Sequence, residues 1–238
     1  MNSNLEKAKK LCAFRAVDQI IEDNLVVGIG SGSTIIYGVQ RLAERVKSEN
    51  LKISCVPTSF QARQLIKEYN LTLTDLESNP ELDVAIDGAD EVDENFVLIK
   101  GGGGCLTQEK IIASAAKNFI VIADYRKNSK YLGQNWHTGI PIEVIPFAYV
   151  AVSRKIELLY GGKCTVRTSS GKAGPLLTDN SNFIIDWKFP VREQGYDWKR
   201  LNEEITLIPG VVETGLFVDI TSKVYFGNED GTITIKPE

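Results

Sequence analysis

Short apolar segments alternate with amphipathic segments throughout the first half of the chain. Strands are predicted at 25–30, 51–57, 71–73, 82–86, 96–99 and 119–123, and helices at 5–22, 33–47, 59–69 and 107–117. Because buried parallel strands need helical crossovers, this alternation predicts an α/β fold with a doubly wound, mostly parallel sheet. Ligands of such sheets bind beyond the carboxyl ends of the strands, so function is expected in the loops at those ends.

The pattern changes after Lys127. A linker at 128–141 is followed by predicted strands at 142–145, 163–168, 175–178 and 183–187, and by helices at 147–160 and 197–206. This order indicates a small α+β domain inserted into the larger one. A strand at 211–219 and a hairpin, KVYFGNEDGTITIK, with its turn at the DG pair, complete the chain.

Composition excludes several classes of function. The 31 acidic and 27 basic side chains give a net charge of −4, which argues against a nucleic-acid partner. No apolar run reaches the roughly 18 residues of a membrane span, and the N-terminus lacks a secretory signal, so we expect a cytoplasmic protein without a membrane partner. The four cysteines have no metal-site spacing and His137 is the one histidine, so we expect neither a metal nor a catalytic triad.

The segment GIGSGST at 28–34 connects a predicted strand to a predicted helix. Its glycines, its hydroxyls and the amides of the helix start are suited to a phosphate ester. A dinucleotide fingerprint would need glycine at Ser33, and a triphosphate loop would need a lysine. The alternative is an ordinary glycine-rich turn with a serine N-cap.

Two further loops carry candidate catalytic groups. Asp87 and Asp90 follow the strand at 82–86, where they are suited to sugar hydroxyls or a divalent cation, unless they belong to a solvated turn. In LIKGGGGCLTQEK, Thr107 is predicted to cap a helix whose first turn contains Glu109, a candidate base. Lys100 is a candidate cation for an oxyanion; both residues could instead be surface groups.

Lys127, just beyond the strand at 119–123, could add charge for a phosphate or could simply be solvated. Together the loops favour proton transfer beside a sugar carbonyl, from aldose to ketose through an enediolate, without a cofactor.

Four segments in one order, GIGSGST, AIDGADEVD, LIKGGGGCLTQEKII and IPGVVETGLF, resemble ribose-5-phosphate isomerase, type A, over nearly the whole chain. PTSFQAR and IEVIP fit the same family. The resemblance implies interconversion of ribose 5-phosphate and ribulose 5-phosphate in the non-oxidative pentose phosphate pathway. It also implies a metal-free homodimer or homotetramer. The implied fold is a Rossmann-like catalytic domain at 1–133 and 211–238, with a smaller α+β (ferredoxin-like) domain at 134–210.

The resemblance also assigns roles. Glu109 would be the general base, Lys100 would bind the oxyanion, and Asp87 and Asp90 would act on sugar hydroxyls and ring opening. Lys10 of the first helix is a further candidate for the phosphate. The remaining substrate-binding residues would be Ser31, Gly32, Ser33, Thr34, Gly88, Ala89, Gly101, Gly102, Gly103 and Lys127.

Two other classes remain open. A sugar-phosphate sensor would bind without turnover, although the pair of Glu109 and Lys100 argues against it. A phosphosugar deaminase would need histidine-assisted ring opening, and His137 lies in no suitable loop.

Overall fold

The structure, a computed structural model, describes residues 3–171, 173–192 and 195–237. The helices are α1 Ser3–Ile20, α2 Ser33–Glu49, α3 Phe60–Glu68, α4 Leu106–Ala115, α5 Tyr149–Tyr160 and α6 Trp198–Thr206. The strands are β1 Val26–Ile29, β2 Ser54–Pro57, β3 Thr72–Leu73, β4 Leu82–Asp87, β5 Glu91–Val92, β6 Leu98–Ile99, β7 Ala116–Asp124, β8 Ile140–Val144, β9 Lys163–Val166, β10 Phe183–Lys188, β11 Val211–Thr214, β12 Leu216–Phe217, β13 Lys223–Gly227 and β14 Ile233–Lys236.

The chain forms two compact units. Within the described residues, the first unit comprises the chain up to Ala89, Gln108–Asn128 and the chain from Ile220 onward. The second unit comprises Asp90–Thr107 and Ser129–Asp219. The chain therefore passes from one unit to the other four times, twice within the motifs that carry the candidate catalytic groups.

The first unit contains a seven-stranded sheet in the order β14-β13-β7-β4-β1-β2-β3. All neighbouring strands are parallel except β13 and β14, which form the predicted hairpin at the edge. The prediction of a mostly parallel, doubly wound sheet is confirmed. The strand order reverses direction at β1 and β4, and in such sheets the crevice beyond this reversal is the usual place for a ligand.

Helix α4 packs directly against the centre of this sheet. A Cβ atom at Gly28 would lie 2.5 Å from Ile112 Cγ2, so glycine is what allows the close approach of helix and strand. Ala116, which directly follows α4, pairs with Leu82 at the amino end of β4. Gly28, which lies against Ile112 of α4, pairs with Ala85, three residues nearer the carboxyl end of β4. Helix α4 thus runs antiparallel to the strands, and its first turn lies at their carboxyl ends.

The second unit contains a four-stranded antiparallel sheet in the order β11-β8-β10-β9. With α5 after β8 and α6 after β10, the element order is βαββαβ, which is the expected ferredoxin-like arrangement. Its core includes the fully buried Trp187, whose indole N–H donates to the carbonyl oxygen of Gly161 at 2.9 Å.

The second unit also contains a three-stranded antiparallel sheet, β12-β6-β5. Two sequence predictions were wrong here. The strand predicted at 96–99 pairs antiparallel with β5 and β12 instead of joining the parallel sheet. The single strand predicted at 211–219 is divided into β11 and β12, which belong to different sheets and are separated by a bend at Gly215.

Two smaller predictions also differ from the structure. In the described chain, 175–178 forms no strand, and only an isolated bridge joins Pro175 to Thr168. The compact units also do not follow the predicted boundary of the smaller domain at 134–210. The second unit additionally takes in 90–107, because that segment contributes β5 and β6, and the chain through Asp219, because β11 pairs with β8.

No helix in the described part of the chain is both long and apolar enough to cross a membrane.

Candidate active site

The loops that follow β1 and β4 are held together by Asp87. Its Oδ1 accepts hydrogen bonds from the backbone N–H of Ser31 at 3.0 Å and of Gly88 at 2.7 Å. The N–H of Gly30 donates to the carbonyl oxygen of Ile86 at 2.9 Å. A Cβ atom at Gly30 would lie 2.1 Å from Asp87 Oδ1, so only glycine permits this contact. The buried Asp87 carboxylate is thereby fixed at the reversal of strand order.

The hydroxyl of Ser31 is engaged within the protein. It lies 2.9 Å from Thr58 Oγ1 and 2.6 Å from Ser59 Oγ, both of which follow β2. The N–H of Gly32 donates to Gln61 Oε1 at 2.8 Å, and Gly32 has φ +101°, a conformation that favours glycine. These contacts explain how PTSFQAR supports the predicted phosphate loop.

Lys9 lies beside the start of α2, where the sequence had suggested Lys10. Its Nζ donates to Ser33 Oγ at 3.1 Å and to Glu6 Oε1 at 2.9 Å, and the residue is buried. The hydroxyl of Tyr37 donates to Glu6 Oε2 at 2.7 Å, and the bonds from Lys9 and Tyr37 hold the pKa of Glu6 below its ordinary value. The ammonium of Lys10 instead lies 4.9 Å from the centre of the Phe14 ring.

A helical phase argument could have selected Lys9. Ala8, Cys12 and Ala13 are buried, so Lys9 occupies the inward face of α1. Lysines are rarely buried, so a lysine on an otherwise apolar helix face indicates a specific role. The position of Lys9 on the helix gives this signal, whereas the composition of the chain does not.

The first turn of α4 carries Glu109, which is only 6% exposed. The amides of a helix start stabilise a carboxylate there. Because α4 runs antiparallel to the strands, this places Glu109 in the first unit at the carboxyl edge of the sheet, the same edge at which Asp87 lies. Thr107 does not cap the helix as predicted. It lies inside the first turn, and its hydroxyl donates to Glu143 Oε2 at 2.7 Å.

The segment Tyr125–Lys127 forms a short 3₁₀ turn directly after β7. Lys127 is half-buried there, at the carboxyl end of a strand neighbouring β4. The structure therefore groups Asp87, the loop at 30–34, Glu109 and Lys127 at one edge of the sheet of the first unit.

The second unit carries the other candidate residues. The backbone N–H of Gly102 donates to Asp90 Oδ2 at 2.6 Å, and the backbone N–H of Asp90 donates to the carbonyl oxygen of Ile99 at 2.8 Å. Gly101 and Gly104 have φ +94° and +83°, and the N–H of Gly104 donates to the carbonyl oxygen of Gly101 at 2.9 Å. The glycines thus form the expected compact backbone surface, next to Asp90.

Lys100 is only 3% exposed and follows β6. Its backbone N–H donates to the carbonyl oxygen of Gly215 at 2.8 Å, and its Nζ lies 5.4 Å from the centre of the Phe217 ring. An aromatic face at this distance attracts a cation. The late motif IPGVVETGLF therefore supplies the surroundings of Lys100, a role that sequence reasoning had not given to Phe217.

Among residues 3–171, 173–192 and 195–237, the structure places no three or more histidine, cysteine, aspartate or glutamate side chains where they could hold a metal ion together.

Comparison with known proteins identifies the family. The family model described as ribose 5-phosphate isomerase A (phosphoriboisomerase A) matches residues 54–231. The chain belongs to this family. A human ribose-5-phosphate isomerase is 58% identical over 234 residues, which cover 98% of this chain and 74% of the human protein. A Dictyostelium discoideum ribose-5-phosphate isomerase is 51% identical, over 98% of this chain and 99% of that protein.

Solved structures agree with the fold of the family. Ribose 5-phosphate isomerase A from Methanocaldococcus jannaschii matches with a TM-score of 0.89 and 39% identity, over 97% of this chain and 98% of that chain. A D-ribose-5-phosphate isomerase in complex with phospho-erythronic acid matches with a TM-score of 0.91 and 42% identity, over 99% of both chains.

Proposed function

We propose that the chain interconverts D-ribose 5-phosphate and D-ribulose 5-phosphate through a cis-enediolate, with Glu109 as the general base. Membership of the isomerase family supports the reaction itself. The observation that carries the mechanism is the buried carboxylate of Glu109 in the first turn of α4, at the carboxyl edge of the parallel sheet.

We propose that the phosphate binds at the start of α2. The cation of Lys9 lies there with the hydroxyl of Ser33, and the first amides of α2 together with the hydroxyl of Thr34 can donate to an anion. Lys127 at the end of β7 would add a second cation. Ser31 contributes by fixing the loop, since its hydroxyl bonds to Thr58 and Ser59.

The proton transfer follows from these groups. Glu109 takes the proton from C2 of the opened aldose, and the electron pair moves to the carbonyl oxygen at C1. The hydroxyl proton then passes from O2 to O1, and the electron pair left on O2 forms the ketone at C2 as Glu109 returns its proton to C1. General base catalysis supplies about 10²–10⁴-fold, and a cation such as Lys100 stabilises the oxyanion by on the order of 3 kcal/mol.

We propose that Asp87 and Asp90 bind the sugar hydroxyls and assist ring opening. Both carboxylates accept bonds from backbone amides, Asp87 from Ser31 and Gly88, and Asp90 from Gly102. These bonds hold each carboxylate in one orientation before the substrate arrives, which reduces the cost of ordering the site. Gly88, Ala89 and Gly101 to Gly103 would approach the substrate through their backbone.

The related structure with phospho-erythronic acid supports an enediolate. That ligand is a phosphorylated sugar acid, and its carboxylate, with two oxygens sharing negative charge, resembles the charge distribution of an enediolate. A site that stabilises such an intermediate is expected to bind this acid well.

The wider setting is also a proposal. We propose that the chain acts without a metal in the cytoplasm, as a homodimer or homotetramer, in the non-oxidative pentose phosphate pathway. Turnover in the presence of a chelator tests the first part, and loss of turnover would contradict it.

The mechanism is tested by running the isomerisation in deuterated water. Proton transfer through Glu109 allows exchange with solvent, so deuterium is expected at C1 of ribulose 5-phosphate. Even if the buried Glu109 often returns the same proton, label should accumulate as the two sugars interconvert repeatedly. No deuterium in substrate or product after many interconversions would contradict the enediolate and favour a direct hydride shift.

A further inference from the structure

The carbonyl groups of the glycine-rich loop are bound by an arginine that no motif had indicated. Arg167 directly follows β9, and its Nη1 donates to the carbonyl oxygen of Gly101 at 2.8 Å and of Gly102 at 3.2 Å. Its Nε donates to Asp186 Oδ2 at 2.9 Å, and its Nη2 donates to the other carboxylate oxygen of Asp186. The Arg167 side chain is 13% exposed and that of Asp186 is 12% exposed, so the ion pair is largely shielded from water.

The same peptide group connects Arg167 to Asp90. The carbonyl oxygen of the Gly101–Gly102 peptide accepts from Arg167, and its N–H donates to Asp90 Oδ2 at 2.6 Å. A peptide group is planar, so fixing its carbonyl also fixes the direction of its N–H. Glycines on both sides permit many backbone conformations, so the orientation of this peptide depends on the groups that bind it. Within the loop, the N–H of Gly104 donates to the carbonyl oxygen of Gly101 at 2.9 Å, and Arg167 supplies the second donor to the same oxygen from outside the loop.

We propose that Arg167, oriented by Asp186, is a positioning residue that sets the carboxylate of Asp90 through the Gly101–Gly102 peptide. This role rests on the proposed function of Asp90 at the sugar hydroxyls. Only a planar guanidinium supplies the set of donors used here, two toward a carboxylate and one shared by two carbonyls. A lysine would keep the charge without reproducing this geometry.

The test uses Arg167→Lys, with the melting temperature as the measure of folding. Because Asp90 would lose its fixed orientation, we expect kcat/KM for ribose 5-phosphate and the affinity for phospho-erythronic acid each to fall about tenfold or more. Inhibition by inorganic phosphate should stay within about twofold of wild type, because the proposed phosphate loop does not depend on the orientation of Asp90.

Asp186→Asn provides a second, milder variant. It keeps the size of the side chain and weakens its hydrogen bonds to Arg167. We therefore expect kcat/KM and the affinity for phospho-erythronic acid to fall by a smaller factor than in Arg167→Lys, again with little change in inhibition by inorganic phosphate. Arg200→Lys is the matched control: Arg200 pairs with Glu204 at 2.7 Å on an exposed helical face, and no change is expected.

Three outcomes would overturn the proposal. These are unchanged kinetics in folded Arg167→Lys, equal weakening of inorganic phosphate and phospho-erythronic acid, or the same loss in Arg200→Lys. If Arg167→Lys does not fold, Asp186→Asn decides by the same criteria. Failure of the wild-type protein to isomerise ribose 5-phosphate would refute the proposed function instead, and the ligand-binding comparison would still decide the role of Arg167.

Discussion

Gly102 leaves no space for a side chain beside Asp90, which makes a single methyl group a sharp test of the site. In Gly102→Ala, the new Cβ would lie 2.6 Å from Oδ1 and 2.8 Å from Oδ2 of Asp90. To reach ordinary van der Waals contact at 3.4 Å, the carboxylate must retreat by about 0.8 Å. The hydrogen bond from the Gly102 N–H, now 2.6 Å, would lengthen or break.

The expected loss follows from this displacement. Misplacing a reacting group by about 1 Å costs on the order of 10²-fold in rate, and a hydrogen bond to a charged group contributes about 1.5–3 kcal/mol. We therefore expect kcat/KM for ribose 5-phosphate to fall about 10²-fold. Stability should change by no more than about 1 kcal/mol, because alanine also restricts the unfolded chain.

Initial-rate kinetics with ribose 5-phosphate measure the effect. Gly171→Ala is the matched control, because a Cβ there would meet nothing closer than Ser169 Oγ at 3.9 Å. In an Asp90→Ala background, Gly102→Ala should lower kcat/KM by less than about threefold, because this background has no Asp90 carboxylate for the new methyl group to displace. An equal loss in both backgrounds, or in Gly171→Ala, would refute the reasoning.

Three further predictions concern the phosphate side and the thiols. Lys9→Met should raise KM for ribose 5-phosphate about tenfold or more, whereas Lys10→Met should stay within about twofold; equal effects would contradict the assignment. The pKa of Glu6 is lower in the folded protein than its ordinary value of 4.5. The contribution of the Glu6 carboxylate to the free energy of unfolding is therefore complete above pH 4.5 and is lost as the pH falls through the pKa of the folded state. In urea unfolding, Glu6→Gln should therefore cost less than about 1 kcal/mol at pH 7, since Glu6 is 38% exposed, and progressively less below pH 4. At pH 8 a thiol reagent should modify Cys105 in the native protein. It should modify Cys12, Cys55 and Cys164 only after unfolding, because burial raises the pKa of each of these three thiols to about 12.

The first half of the fold could be predicted because its signal is local. The strand predicted at 82–86 is Leu82–Asp87, and the helix predicted at 33–47 is Ser33–Glu49. In each case a run of side chains with one period defines the element, and burial against neighbours only confirms it.

The pairing of β6 could not be predicted in the same way. Leu98–Ile99 is two residues long, and it pairs with Leu216–Phe217 more than a hundred positions later. Two residues carry no period, and such a pairing depends on the folded chain rather than on local pattern.

The same limit applies to the site. Glu109, Lys100 and Asp87 stand in recognisable motifs at predicted strand ends. Arg167 and Glu143 do not, because they act on residues that lie far away in sequence: Arg167 on the carbonyl of Gly101, and Glu143 on the hydroxyl of Thr107. Contacts of this kind appear only once the sheets have assembled.

The most direct test of the general base is Glu109→Gln, which preserves the shape of the side chain and removes its charge. We expect the melting temperature to change little and the affinity for phospho-erythronic acid to stay within about threefold. The kcat should fall about 10²–10⁴-fold, together with deuterium uptake from solvent. A variant that binds and isomerises at close to the wild-type rate would show that another group moves the proton.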